Sequence, residues 1–255
     1  MTIHADPDLL IGFLLALVRA SAWLVLVPPF GTRVIPAQVK IGLAAALALP
    51  VAGRLAEHAP APEVAPLIGA VAVQVAVGVS LGFLVYLFFA AVQSAGEMID
   101  LFGGFTVAPA YDPLSNAQSS TFGRFYQLIA TTLLFVTNGH LLLIRGFMTS
   151  FEAVPANPTL QDFSGNFVDA FGAFFLAAIE IAAPLLGALF LAEVALGLLS
   201  KAAPQMNVFM VGFPVKIILT LALAGLALPL LPSSVSSLLE SALRAGTHLS
   251  SALGG

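Results

Sequence analysis

The chain has 255 residues, 59% of them hydrophobic and 9% charged, with a formal net charge of −4. A soluble domain carries about 25% charged residues, so this composition excludes a water-facing exterior over most of the chain and places it among all-α, polytopic membrane proteins. Nine scattered basic residues cannot neutralise a run of phosphates, which excludes nucleic acid as a partner, and the lack of cysteine excludes disulfides and thiolate metal sites.

The first apolar run, 9–27, has the look of a secretory signal, with Ala20-Ser21-Ala22 as a cleavage-like triplet. Asp6 and Asp8 precede it, no Lys or Arg does, and Arg19 interrupts it. A signal peptide needs a basic start, so we expect this segment to stay as a membrane helix. Crossing the hydrocarbon takes about 20 apolar residues, and 67–92, 125–148, 167–199 and 208–231 also qualify. The run 41–52 is too short and reads as half of a hairpin or a re-entrant piece. The stretch 167–199 is too long for one straight span, and Pro184 predicts a kink or break there.

Punctuation separates these runs. Pro28-Pro29-Phe30-Gly31 ends the first helix. Gly53, Pro60, Pro62 and Pro66 mark a loop over 53–66. Residues 102–120 form a longer connection built on Phe102, Gly103, Gly104, Phe105, Pro109, Asp112 and Pro113. Continuous helix is excluded there; the segment is either a surface loop outside the membrane or irregular backbone at membrane depth, which is tolerated only in protein or beside a watery cavity. The stretch 155–166 is turn-rich, and the tail 233–255 is serine-rich and weakly amphipathic. No repeat or linker divides the chain.

Arg19, Glu180, Glu193 and Lys216 lie inside apolar runs, where a charge costs several kcal/mol unless it faces protein or water. Three readings stand: an interhelical ion pair, a segment outside the bilayer core, or an ion or substrate pathway. Glu180 and Glu193 are 13 positions apart, about 140° off a shared helical face at ~100° per residue, so one straight helix does not pair them as ligands. Gly78-Val79-Ser80-Leu81-Gly82 fits a nucleophile elbow in letters, but that motif needs a strand before it; inside an apolar run it reads as a G-x-x-x-G packing face. Asn138-Gly139-His140 is a polar turn within 125–148, and a lone histidine there reads as a packing residue. No motif for a metal, nucleotide or other cofactor is present, and we expect no enzyme.

Four blocks carry a family resemblance. They are Arg33-Val34-Ile35-Pro36 leading to Val39-Lys40-Ile41-Gly42-Leu43; Ala95-Gly96-Glu97-Met98-Ile99-Asp100 with Gly103-Gly104 and Asp112-Pro113; Asn138-Gly139-His140 with Ser150-Phe151; and Ala203-Pro204-Gln205-Met206-Asn207-Val208-Phe209 with Gly212-Phe213-Pro214-Val215-Lys216. Together, over 9–232, they resemble the FliR family, the R subunit of the flagellar type III secretion export gate. The last block is the most specific and looks more flagellar than injectisome-like.

The resemblance implies a structural and gating subunit. With P-type and Q-type subunits it forms the pore through which unfolded flagellar proteins are exported, and it contacts the B subunit. It implies a place in the bacterial inner membrane at the flagellar basal body, amid lipid, with helical hairpins tilted in a hetero-oligomeric assembly. It also implies a P-like portion over 1–165 and a Q-like hairpin over 166–232, and says nothing of the tail. The corresponding 102–120 loop in that family plugs the pore. We assign Gly78, Gly82, Pro204, Gln205 and Asn207 to helix packing and the four buried-run charges to assembly. The competing reading is a self-sufficient secondary transporter or proton channel using Glu180, Glu193 and Lys216, broken helices and midplane charges being transporter features.

Overall fold

The computed structural model describes residues 6–32, 34–57, 59–106, 120–154, 163–205 and 207–254. Among them the structure is predominantly helical, with no strand. Among the described residues, five helices are long and apolar enough to cross a membrane, or up to six if one bent pair counts as a span. The expected class, an all-α polytopic membrane protein, is what the chain adopts.

Helix α1 (Pro7–Leu26) starts where its residues dictate. Asp6 accepts a hydrogen bond from the Asp8 amide and Pro7 occupies the first turn, where a missing N–H costs nothing. The chain stops at Val27 and turns through the one-turn α2 (Pro28–Gly31). Lys40 Nζ donates to the Gly31 and Thr32 carbonyls at 3.1 and 2.9 Å, satisfying groups at that helix end. Helix α3 (Ala37–Ala48) continues through a 3-10 turn at Pro50 into α4 (Ala52–Ala56). The stretch Ala37–Ala56 is therefore 20 helical residues and a candidate span. Only the length in the reading of 41–52 is corrected: Ala37–Lys40 and Gly53–Ala56 extend the helix on either side, and its place in a hairpin is not contradicted.

Helix α5 (Val64–Gly103) is 40 residues long. Helix α6 (Thr121–Val136) and α7 (Gly139–Ala153) meet at a 76° bend. Asn138 there adopts φ 57°, a left-handed conformation that asparagine tolerates better than most residues. A continuous span over 125–148 is thus corrected to a broken one, and Asn138-Gly139 is the break. Helix α8 (Phe163–Ala202) runs 40 residues without interruption through Pro184. Of the kink or break expected there, the break does not occur, and Pro184 cannot donate to the Glu180 carbonyl. Helix α9 (Val208–Ala227), a 3-10 turn at Pro229 and α10 (Leu231–Gly254) follow. The serine-rich tail is thereby an ordered helix.

The contacts divide the chain into two compact units. The first comprises Met1–Phe88, Asn138–Phe171 and Leu239–Gly255. Its core holds Trp23, stacked on Phe147 with centroids 4.5 Å apart, and Phe147 meets Phe151 edge-on at 5.2 Å. Gly12 lies against the backbone of Ala52 and Ala56, so α1 and α4 approach more closely than a Cβ permits. The second unit comprises Phe89–Thr137 and Gly172–Leu238.

Candidate functional site

In the first unit, the sequence places a cation on α1 at a position that packing buries completely. Arg19 is 0% exposed. Its Nε donates to Gln74 Oε1 at 2.6 Å, and its two terminal nitrogens donate to the carbonyls of Ser150 and Val154 at 3.0 and 3.1 Å. Those carbonyls close α7, whose negative dipole end suits a guanidinium. The Phe151 ring lies 4.3 Å below the guanidinium carbon. Arg19 thus holds α1, α5 and α7 together without a carboxylate. Arg54 and Glu152 add an exposed ion pair at 2.6 Å to the same end of α7. On α5, Gly78 faces the Arg19 carbonyl and Ala22, and Gly82 faces Trp23 and Leu26. Ser80 sits inside this helix and its hydroxyl donates to the Ala76 carbonyl, which is no nucleophile elbow.

In the second unit, both feet of the 102–120 connection are anchored. Helix α5 ends in a turn where the Phe105 amide donates to the Asp100 carbonyl at 3.0 Å, with Gly104 at φ +84°. That pattern needs a left-handed residue after the last helical turn, and glycine supplies it without a Cβ penalty. A Cβ on Gly104 would press on the Phe213 ring, and one on Gly103 on Thr220. The other foot is Ser120, whose Oγ accepts from the Gly123 amide at 2.7 Å and starts α6. Asp100 is 1% exposed, and its Oδ2 accepts from both the Ser120 hydroxyl and the Phe122 amide. Phe105 and Phe122 meet edge-on at 5.3 Å. Phe102 is exposed at 45%. Pro109, Asp112 and Pro113 lie outside the described residues.

The remaining charges separate. Lys216 and Glu193 form an ion pair between α9 and α8, with side chains 19% and 62% exposed. Glu180 is exposed and has no ion-pair partner among the described residues. Asn207 caps α9 by accepting from the Met210 amide at 3.3 Å, and Pro204 and Gln205 form the exposed turn before it. Among the described residues, no group of three or more His, Asp or Glu side chains could hold a metal ion. Sequence reasoning did not single out Gln74, Asp100 or Ser120 as site residues. Ser120 was findable, because a serine directly before an apolar helical run is a capping signal. Nothing in a linear sequence brings Asp100 or Gln74 to its partner.

Residues 10–242 match the family described as bacterial export proteins, family 1. Flagellar biosynthetic protein FliR of Bacillus subtilis (strain 168) is 36% identical over 216 residues, covering 82% of this chain and 83% of that protein. FliR of Escherichia coli (strain K12) is 33% identical over 222 residues, covering 84% and 83%. The secretion system apparatus protein SsaT of Salmonella typhimurium is 28% identical over 165 residues, 64% of each chain.

Proposed function

We infer the function from a family membership: this chain belongs to the bacterial export proteins, family 1. It is a membrane-embedded component of a bacterial type III export apparatus, on the flagellar side of the family. The chain is a structural and gating subunit of the inner-membrane gate, built with P-type and Q-type subunits around a pore for unfolded flagellar proteins and touching the B subunit. It has no chemistry of its own. Residues 1–165 form its P-like portion and 166–232 its Q-like hairpin.

The observation that carries this reading is helix length set against burial. A 40-residue helix is about 60 Å long, twice the ~30 Å hydrocarbon layer. Only 28% of the most apolar stretch of α8 is buried within the chain. Beyond the lipid such a surface needs protein to cover it, which favours a hetero-oligomer over a lone transporter. The transporter reading is weakened again because Lys216 and Glu193 are already bound to each other.

The four charges accordingly serve assembly, and Phe102, Gly103, Gly104 and Phe105 serve as the base of a pore plug that includes Pro109, Asp112 and Pro113. Anchored feet support that role, because they fix where the connection leaves and rejoins the helices. Expressed alone, the chain should aggregate, and co-expression with P-type subunits should rescue it. Monodisperse, folded chain in detergent without partners would sink the hetero-oligomer reading. Deleting residues 106–118 should leave the complex assembled and make cells leaky to ions or small solutes. Normal assembly with closed-gate conductance would reduce the loop to a connector.

A further inference from the structure

Within the second unit, residues 172–192 of α8 hold one polar side chain, Glu180, and otherwise only Phe, Leu, Ile, Ala, Gly and Pro. These 21 residues make about 31 Å of helix, close to the ~30 Å hydrocarbon layer. Eight of them precede Glu180 and twelve follow it, so about 12 Å and 18 Å of apolar helix lie on its two sides. Glu180 is exposed and has no ion-pair partner among the described residues, and Lys216 of the same unit is bound to Glu193. Leu176, Ala183, Pro184, Gly187 and Leu191 follow the helical spacing on its face and are exposed as well. A Cβ on Gly187 would meet nothing.

Lipid does not suit Glu180, because hydrocarbon does not solvate a carboxylate. Bulk water does not suit its surroundings. Glu180 is the one charge among the eleven exposed residues of 172–192, far below the roughly 25–35% Lys, Arg, Glu and Asp of a solvent-facing surface. Protein answers both needs, with apolar side chains for the face and a cation for the carboxylate. Pro184 narrows the choice of cation. It stands one turn on, lacks an N–H, and leaves the Glu180 carbonyl without the amide it would otherwise accept from. In apolar helices such a freed carbonyl is satisfied by a neighbouring helix, a hydroxyl or water. Glu180 therefore presents a carboxylate and a carbonyl oxygen together. A lysine is a compact point charge, whereas an arginine grips a carboxylate with two donors and keeps others for the carbonyl. The first unit uses the same chemistry, since Arg19 donates to two carbonyls and a side-chain oxygen.

We propose that the Leu176–Glu180–Pro184–Gly187–Leu191 face of α8 seats one apolar helix of a neighbouring subunit, and that this helix brings an arginine to Glu180. The inference rests on the hetero-oligomer reading and adds to it the chemistry of one partner contact. A photo-crosslinking amino acid placed at Leu176 or at Leu191, in the complete export complex in membranes, identifies what lies on the face. Both positions should capture the same apolar segment of another subunit, with an arginine between the two captured sites. Glu180→Gln should lower the amount of complex recovered several-fold, and Glu180→Arg, which sets like charges against each other, by about tenfold or more. Changing the captured arginine to glutamate should restore the complex of the Glu180→Arg chain. Changing it to lysine should give less complex than the parent. Capture of lipid or exported protein alone, or of a segment without arginine, overturns the inference while an assembled complex leaves the hetero-oligomer reading standing. Parental recovery from Glu180→Arg, a charge exchange that restores nothing, or a lysine as good as the arginine overturns it in the same way. Folded, monodisperse chain in detergent without partners would instead remove the hetero-oligomer reading and the inference with it.

Discussion

Helices α5 and α8 are each 40 residues long, and their most apolar stretches have mean hydropathies of 2.4 and 2.2. Of those stretches, 67% is buried within the chain in α5 and 28% in α8. Hydropathy reports which residues leave water; it does not report what they meet. Glycines tell the two helices apart. In α5, Gly78 lies against α1 backbone and Gly96 against the backbone of Phe122 and Gly123. In α8, a Cβ on Gly172, Gly187 or Gly197 would meet nothing. One helix is the chain's own spine, and the other offers its surface outward.

The sharpest break of that contrast is steric. Gly96→Leu would drive a side chain into the carbonyl of Phe122, which cannot give way without moving α6. We expect a loss at the upper end of overpacking, about 3 kcal/mol or more, seen as protease-sensitive chain and little recovered complex. Gly187→Leu should leave the chain as protease-resistant as the parent, within about 0.5 kcal/mol, yet lower its co-purification with P-type and Q-type subunits. Equal damage from both variants would erase the distinction between spine and outward face.

Next in size is Arg19. Arg19→Met removes the donor to Gln74, Ser150 and Val154 together and leaves buried acceptors unpaired. Charge-assisted hydrogen bonds contribute about 1.5–3 kcal/mol each and are not additive, so a net loss of about 2–4 kcal/mol is expected. Arg19→Lys should fall between, because one ammonium lacks the planar fork that reaches three acceptors. Thermal unfolding of the purified complex measures both, and a Lys variant as stable as the parent would mean that charge alone suffices. Asp100→Ala comes third, at about 0.5–2 kcal/mol, the range for losing a side chain that accepts from the first amides of a helix. It should also loosen the base of the 102–120 connection, read as faster proteolysis there.

Much of this architecture is legible from the residues. Apolar runs locate α1, α5, α8 and α9, Pro28-Pro29 ends α1, and the glycine pair after Phe102 ends α5. What is not legible has physical causes. Pro184 lies in a helix long and apolar enough on both sides to carry one missing hydrogen bond, so of the predicted kink or break the break does not form. Asn138-Gly139 breaks a run that hydropathy sees as continuous, because a left-handed residue changes direction without changing polarity. The tail reads weakly in one dimension, since serines pass for loop residues until their hydroxyls find carbonyls of their own helix. At the candidate site the charges are visible, but their partners are set by tertiary approach. Two of the three acceptors of Arg19 are backbone carbonyls, which carry no side-chain signature.

The smallest expected effect concerns Glu193 and Lys216. The pair joins α8 to α9, but Glu193 is 62% exposed and Lys216 19%. Exposed pairs are screened and contribute about 0–1 kcal/mol, and the partial burial of Lys216 puts this one toward the top of that range. Glu193→Gln leaves Lys216 able to reach water along its flexible stem, so the complex should lose less than about 1 kcal/mol. Lys216→Met leaves Glu193 largely in solvent and should cost no more. If the charges serve assembly, each variant lowers the amount of complex recovered, while export per assembled complex stays at the parental level. A double-mutant cycle separates the coupling from the cost of each truncation. Coupling above about 2 kcal/mol would show that partners desolvate the pair far beyond what the chain itself achieves. Parental amounts of complex with export lost would instead assign the pair to transport, and α8 would then be a working surface as well as a docking one.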